Sequence, residues 1–594
     1  MTATVHQLAS ARRDHGRFPR TPRRRRLFAL VVVGGWVVFC SLQLALSYRD
    51  ARGGMHETLS ARRDMSSEGV AADRADVRLD RARRLFHEAH RRSASPVLAP
   101  LRALPVVRRQ LRSFADLTAA ASRVAGVAAT SAEAVHTLLR ESVPTGTGRP
   151  AALRLLGDHS LNAEAALGGV DLGDPDGLVG PLRRRWAALA HDVASARATL
   201  RTAAEGLHGV ANVLEGPRRY LLLAANNAEM RAGSGMFLSI GTIETAGGSV
   251  RVGPLRPSGD LTLPGEGVHV DGDLAARWDW LNPGREWRNL ATTPRFDVTA
   301  PLAVGMWETL TGEKLDGALA LDVPFLAAIL DATGPVAVGD GVIDGSTVVG
   351  RLLRDQYHGL DVKDPQAERR EELGAMAAAV VGALERGDYS PWRLATALAR
   401  ASRGRHVLAW SVRPEDQRTW DRAGIAGLLE PDSLAVSILN RGGNKLDPFL
   451  TVEAGLGLHP SPNGTEVTLR LKMANEAPTG LSPYVAGPHP RSGIGEGDYL
   501  GIIAVNVPGA ATDIAVEGAR PLSSSGPDGP TQVVAAPLLL TRGQETTVTV
   551  QFRLPLTEQS MRVVPSARVP AVPWESGPHR WHDDRAKVVS WRWD

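Results

Sequence analysis

GPRRYLLLAANNAEMRAGSGMF, residues 216–237, is where the character of this chain changes. Upstream the apolar residues recur at helical spacing, and the triplet Glu215, Gly216, Pro217 ends that pattern. Tyr220 to Ala224 then forms a short continuous apolar run bounded by turn formers, the signature of a buried strand. Straight after it come two amides, an acid and a base (Asn226, Asn227, Glu229, Arg231) and the glycines Gly233 and Gly235. Strand ends in α/β sheets are where ligands bind, so this junction both opens a mixed domain and marks a candidate site.

Downstream, Met236–Thr245 and Val250–Leu255 read as strands joined by the Gly247, Gly248 turn. After an irregular stretch, Asp297 can cap a helix through Leu310, followed by a strand Leu315–Leu321 and a helix that Pro324 opens and Gly334, Pro335 stop. Val336–Val338 returns as a strand. Helices are expected at Ser346–His358, Pro365–Arg386 and Pro391–Arg403, with Val407–Val412 and Leu434–Leu439 as further strands of the same sheet. Beyond Pro448 the period becomes two. Val467, Leu469, Leu471 and Met473 alternate with Thr468, Arg470 and Lys472, and Val548, Val550, Phe552 and Leu554 do the same, as in an antiparallel β-sandwich. Trp574, Trp581, Trp591 and Trp593 crowd the end, suited to core packing or to stacking on a carbohydrate.

Upstream, Tyr48 to Leu214 is rich in Ala, Leu and Arg and reads as a helical stalk. Ala82, Leu85, Phe86 and Ala89 fall at i, i+3, i+4 and i+7. From Leu182 through Trp186, Leu189, Val193, Ala196, Leu200, Ala203, Leu207 and Val210 to Leu214 the spacing alternates between four and three, a 3.5-residue repeat. Such a seam must be covered, by a second helix of the same chain in an antiparallel hairpin or by a second copy. The Pro- and Gly-rich stretch Ser142–Pro181 would be the break between the helices.

Farther up, Leu27 to Leu46 is uncharged and follows Arg23, Arg24, Arg25 and Arg26. Twenty residues at about 1.5 Å each span the roughly 30 Å of a bilayer's hydrocarbon core. The first 26 residues hold eight Arg and one acid, so the positive-inside rule puts them in the cytoplasm and the rest outside. A cleaved signal peptide is the alternative, since Ala45 and Ser47 resemble a cleavage site, but the run is longer than a signal core. The lone cysteine, Cys40, lies inside the run, which excludes disulfides and Cys chemistry from the exported part.

Residues 1–26 carry +7 and residues 48–140 another +7; the whole chain carries +5, which leaves −9 for residues 141–594. That acidic bulk argues against nucleic acid as a partner, whereas the juxtamembrane Arg suits anionic lipid head groups or acidic wall polymer. The chain holds no Gly-x-x-x-x-Gly-Lys-Ser/Thr loop, no Gly-x-Gly-x-x-Gly after a strand and no Gly-x-Ser-x-Gly elbow. His87, Glu88 and His90 imitate a zinc-protease helix, with the histidines three rather than four apart. A second polar cluster, Asn440, Arg441, Gly442, Gly443, Asn444, Lys445, Leu446, Asp447, follows a predicted strand. Its glycines offer backbone N–H groups and its bases offer charge to an anion; the competing reading is a turn whose side chains cap the backbone.

These residues carry a resemblance. Arg219 to Arg231 with Gly233, Gly235, Met236 and Phe237 resembles the signature RYLLLxxNNAElRaxGGF of the bacterial family termed domain of unknown function 4012 (DUF4012). Asp316–Asp322 with Leu326–Leu330, Gly334 and Pro335 is similar to its DGvialDp…lL…tGPv, and Asn440–Asp447 to its NxxGNKlD. The family's Gly-Gly-Phe-Ile stands here as Gly-Ser-Gly-Met-Phe-Leu, and its RDaNwxpDFP as Arg288 to Asp297. Asp316 to Val338 is also similar to a stretch of LytR-CpsA-Psr proteins, membrane-anchored enzymes that move polymers from polyprenyl pyrophosphate to peptidoglycan. That likeness implies Arg231, Arg288, Arg295 and Lys445 as pyrophosphate contacts, and Glu229 and Asp297 as holders of Mg²⁺ or of an attacking hydroxyl.

The expectation is thus an α+β multidomain chain: a cytoplasmic basic tail (1–26), a single transmembrane helix (27–46), an extracytoplasmic helical stalk (48–214), an α/β domain with a central mixed sheet (216–447) and an antiparallel β-sandwich (448–594). Its expected role is to bind a wall polymer or lipid-linked precursor in the cell envelope, the alternative being a phosphotransferase. Homo-oligomers through the stalk are compatible with the seam. Ligand-binding candidates are Asn226, Asn227, Glu229, Arg231, Gly233, Gly235, Arg288, Arg295, Asp297, Asn440, Asn444, Lys445 and Asp447.

Overall fold

A computed structural model of the chain describes residues 22–66, 75–140, 145–339, 341–354, 365–488 and 493–591. Most of the expected cytoplasmic tail and Trp593 lie outside them. The chain forms two compact units, Met1–Ala132 with Ala165–Arg197, and Glu133–Glu164 with Ala198–Asp594.

The first unit is helical. Helix α1 (Pro22–Ser66) includes one stretch long and apolar enough to cross a membrane, almost none of it buried. Helix α2 (Ala75–Ser93) packs antiparallel on α1: Ser47 Oγ donates to the Ala89 carbonyl at 2.6 Å, Arg92 pairs with Asp50 at 2.9 Å and Arg78 with Glu57 at 3.2 Å. The i, i+3, i+4 residues Leu85 and Phe86 lie against Gly53 and Gly54 of α1. A turn of 3₁₀-helix, Pro96–Ala103, leads into α3 (Pro105–Arg140), which runs back along α2. His90 Nδ1 lies 2.8 Å from the Ala115 carbonyl, so this member of the zinc-like pattern is a helix–helix contact.

The expected break Ser142–Pro181 contains a helix, α4 (Gly148–Gly168), before α5 (Gly180–Glu215). Pro150 sits in the first turn, where a missing N–H costs nothing, and the Ala- and Leu-rich remainder favours helix. In the second unit the two helices lie antiparallel, with Arg154 on Asn212 at 3.0 Å, His208 on Asp158 at 3.2 Å and Arg201 on Glu164 at 2.9 Å. There the expected linker is itself the hairpin partner.

The second unit continues with β1 (Arg218–Met230), β2 (Gly235–Ala246), β3 (Ser249–Val252) and β4 (Arg256–Pro257). The stretch expected to be irregular holds a short helix, α6 (Gly272–Trp278), before α7 (Phe296–Thr311). Then come β5 (Gly317–Asp322), α8 (Val323–Thr333), the ribbon β6 (Val336–Val338) and β7 (Gly341–Ile343), α9 (Gly345–Leu353), α10 (Pro365–Arg386), α11 (Pro391–Arg403), β8 (Val407–Ser411) and α12 (Pro414–Arg422). The central sheet has the order β3-β2-β1-β5-β8 with β4 beside β2. It is mixed: β1 is parallel to β5 and antiparallel to β2.

The remaining elements are β9 (Ser433–Asn440), β10 (Leu450–Ser461), β11 (Gly464–Asn475), α13 (Pro483–Ala486), β12 (Tyr499–Pro508), β13 (Thr512–Glu517), β14 (Ser524–Asp528), β15 (Thr531–Leu540), β16 (Glu545–Leu554), β17 (Ser560–Val564), β18 (Pro573–Ser576), β19 (His579–His582) and β20 (Lys587–Ser590). They form two six-stranded sheets, β13-β16-β11-β10-β18-β19 and β14-β15-β12-β9-β17-β20. The alternating residues of β11 and β16 and the inward residues Ile503 and Val505 of β12 share one buried core.

Two expectations are corrected here. Strand β9 does not join the central sheet but pairs with β12 and β17. Every one of its positions is buried, and such a strand carries no mark of which sheet it enters. The C-terminal sheets are also not purely antiparallel, because β10–β18 and β9–β17 are parallel. Crossover connections make parallel pairs, and alternation along a strand cannot report them.

Candidate functional site

The central sheet has two unlike faces. Leu221 and Leu223 of β1, Phe237 and Ile240 of β2 and Ala318 and Ala320 of β5 point to a closely packed side with Trp287, Phe296 and Ala303, each 2% exposed or less. The alternate residues Leu222, Ala224, Leu238, Ile243, Leu319 and Leu321 point the other way, into a trough of about 1310 Å³. Its far wall comes from Phe325, Leu326 and Ile329 of α8, Met376, Val380 and Leu384 of α10 and Leu398 of α11. The volume exceeds the roughly 300–1,000 Å³ that holds a drug-sized ligand. Leu319 and Leu321 remain half-buried, so this wall is apolar surface without a full complement of protein atoms against it.

One end of the trough is polar. Arg231, 4% exposed, donates through Nε to the Arg288 carbonyl at 2.7 Å and through Nη1 to the carbonyls of Met230 at 3.1 Å and Asn440 at 2.5 Å. Burial, with the like charge of Arg441 nearby, pushes its pKa down to about 10. Arg441 donates to Asn289 Oδ1 at 3.0 Å and is also lowered by burial, against the pull of Glu286. Among the described residues neither guanidinium forms an ion pair. The other two cations are matched: Lys445 Nζ pairs with Glu229 and lies 4.7 Å from the Tyr484 ring centroid, and Arg288 grips Glu286 bidentately at 2.8 and 2.7 Å. Asp260 and Asp322 also line the trough, so four bases face four acids there. Asp322 lies at the N-terminus of α8, with His406 Nδ1 2.7 Å away. Burial alone would lower the His406 pKa, but the charge and hydrogen bond of Asp322, with the charge of Asp583, raise it.

Of the residues expected at a site, Asn226, Glu229, Arg231, Arg288, Asn440 and Lys445 line the trough. The others make structural contacts elsewhere. Asn227 donates to Asp322 and to the Ala567 carbonyl, each at 2.9 Å. A methyl group on Gly233 would stand 2.9 Å from Pro294 Cα, and one on Gly235 2.3 Å from the Asn226 carbonyl oxygen. Arg295 bridges Asp297 at 3.0 Å and Asp528 at 3.5 Å, tying the start of α7 to β14. Asn444 accepts from Asn440 Nδ2 at 3.1 Å and donates to the Asp498 carbonyl at 2.9 Å. Asp447 is fully buried and accepts from Arg568 (2.8 Å), Tyr499 (3.0 Å), Asn440 (2.9 Å) and the Met230 N–H (2.9 Å).

Glu229 pairs with Lys445, and Asp297 pairs with Arg295 through Oδ2. Among the described residues no group of three or more potential ligand side chains is placed to hold a metal ion. Trp574 and Trp591 are buried in the core, and Trp574 stacks on half-buried Trp581 at 5.8 Å, the pair also bordering a second groove. This groove of about 840 Å³ runs over β10, floored by Gly455 and Gly457. Its edges mix Arg470, Lys472 and Arg580 with Glu453 and Glu575.

Sequence reasoning missed the apolar trough and, at its mouth, Glu286 and Tyr484. The usable signal was the strand Gly317–Asp322, where small Ala318 and Ala320 alternate with Leu319 and Leu321. Small residues mark the tightly packed face and leucines the face toward the trough.

Residues 215–357 match the model of the family described as a protein of unknown function (DUF4012). The match spans the end of α5, the central strands β1 to β5, α8 and α9. Asn440–Asp447 lies beyond it. No curated protein matches the chain.

Proposed function

We propose that this is a membrane-anchored, extracytoplasmic protein of the cell envelope whose sheet domain holds a lipid-linked ligand. The hydrocarbon chain lies in the trough and the anionic head group on Arg231 and Arg441. The α1 anchor and the Arg-rich N-terminal tail support single-pass placement with the N-terminus in the cytoplasm. The observation that carries the reading is the junction of an under-filled apolar wall with two guanidiniums, buried Arg231 and half-buried Arg441, that form no ion pair among the described residues. Burying a cation away from water is costly unless an anion compensates it, and apolar wall left open forfeits about 25 cal/mol per Å². An amphiphile with a phosphate head meets both needs at once.

The test uses the full chain in nanodiscs titrated with fluorescently labelled undecaprenyl phosphate. Arg441→Ala, which deletes a charge-assisted contact of about 1.5–3 kcal/mol, should weaken binding roughly tenfold to a hundredfold. Leu321→Trp, which projects a bulky ring from the sheet into the trough, should also weaken it. Binding that neither change alters overturns the reading. Transfer of the phosphoryl-linked polymer from a polyprenyl-pyrophosphate donor to a wall-glycan hydroxyl, leaving polyprenyl monophosphate, would favour the phosphotransferase alternative over a binding protein.

A further inference from the structure

The turn joining α2 to α3 reaches back beside the apolar part of α1. Trp36 Nε1 donates to the Val97 carbonyl at 3.0 Å, and Cys40 Sγ lies 3.8 Å from the same oxygen. Trp36 and Cys40 precede the end of the uncharged run at Leu46 by ten and six residues, about 15 and 9 Å along the helix. Val97 is therefore level with the interior of the hydrophobic segment, not with its end.

The turn has the composition such a position demands. Val97, Leu104 and Val106 are 37%, 57% and 71% exposed, an apolar tip with no protein over it. Non-helical backbone within a bilayer must have its polar groups satisfied internally. Pro96, Pro100 and Pro105 remove three N–H donors outright. Leu98 N donates to the Ser95 carbonyl at 3.1 Å and Leu104 N to the Leu101 carbonyl at 3.3 Å. The Arg102 guanidinium takes the Ser93 and Ser95 carbonyls at 3.1 and 3.3 Å, and Trp36 takes that of Val97. Behind the tip, residues 91–112 contain six Arg and no acid. Arg92 pairs with Asp50, four residues past Leu46, which places this arginine where the apolar run ends.

We infer that Pro96–Val107 is a wedge inserted in the outer leaflet of the bilayer that α1 crosses, its apolar tip among acyl chains and its arginines among anionic head groups. The inference rests on α1 being a membrane anchor. It gives the first unit two points of attachment, and a helix pair held at two points is fixed in orientation, unlike one free to swivel about a single span.

The lone native cysteine makes the test direct. In a Cys40→Ser background of the full chain, Val97→Cys and Val106→Cys are labelled with bimane, beside Val38→Cys as the lipid reference and Val588→Cys as the aqueous one. The proteins are reconstituted in vesicles of phosphatidylethanolamine and phosphatidylglycerol. Labels at 97 and 106 should lose emission to nitroxide carried on acyl chains, as at 38, and resist iodide. If they are quenched by iodide as at 588 while 38 stays lipid-quenched, the anchor stands and the wedge is overturned. If 38 is also open to iodide, the anchor fails and the wedge with it. Labels at 97 and 106 shielded from both quenchers would mean a protein contact in place of lipid, which also overturns the inference.

Discussion

At the scale of single residues, the motif Asn440–Asp447 shows why polar loops mislead. Arg441 and Lys445 face the trough, whereas Asn444 and Asp447 spend their polar atoms on neighbouring protein groups. Asn, Asp and Gly serve a bound anion or a buried turn equally well, so the sequence could nominate this loop but not sort its members. Asn226 and Asn227 divide in the same way, although they are adjacent. His406 carries a prediction of its own. Its pKa is raised in the folded chain, so its contribution to stability is complete below the unfolded value of about 6.5 and is lost as pH climbs through the raised value. Urea midpoints from mildly acidic to mildly alkaline pH should fall for the wild type relative to His406→Gln. Parallel curves would refute a stabilising His406–Asp322 pair.

At the scale of elements, α5 offers a contrast within one helix. At Gly206 a methyl group would meet open space, with no atom within 4 Å, so Gly206→Ala should stabilise by about 0.5–1 kcal/mol through reduced chain entropy. Gly216 ends the helix at φ 66°, where a methyl would stand 2.2 Å from the Thr245 carbonyl oxygen. Gly216→Ala should therefore destabilise, by roughly 2 kcal/mol or more once left-handed strain and the collision are combined. Thermal melts of the two variants should move in opposite directions; melts that move together would refute the assigned helix end. Helices and strands with strong periodicity were legible, and α8, α10 and α11 lie where their proline starts and apolar spacing put them. Helix α4 was hidden because glycines and prolines flank it on both sides. The sheet entered by β9 was hidden because partner choice is a long-range property.

At the scale of the whole molecule, the apolar stretch of α1 predicts that the full chain stays with membranes under alkaline carbonate. Replacing Val33 and Val37, both exposed on α1, by Asp should release it, since each charge near the centre of a span costs about 2.5–3.5 kcal/mol. Retention of the doubly substituted chain would refute α1 as the anchor. The trough was illegible at this scale for a physical reason: a strand apolar on both faces looks the same whether protein or ligand covers the second face. The C-terminal sheets hold a different lesson. Each gains its last two strands, β17 with β20 and β18 with β19, from residues 560–590, and Met561, Trp574 and Trp591 enter the shared core only then. Strand β9, some 120 residues earlier, has one edge waiting for β17 throughout synthesis. A chain made N-terminus first thus keeps an open seam until its final segment is synthesised, and a ribosome that stops a few dozen codons early delivers a product with two unfinished edges, sticky to its own kind and an easy mark for proteases.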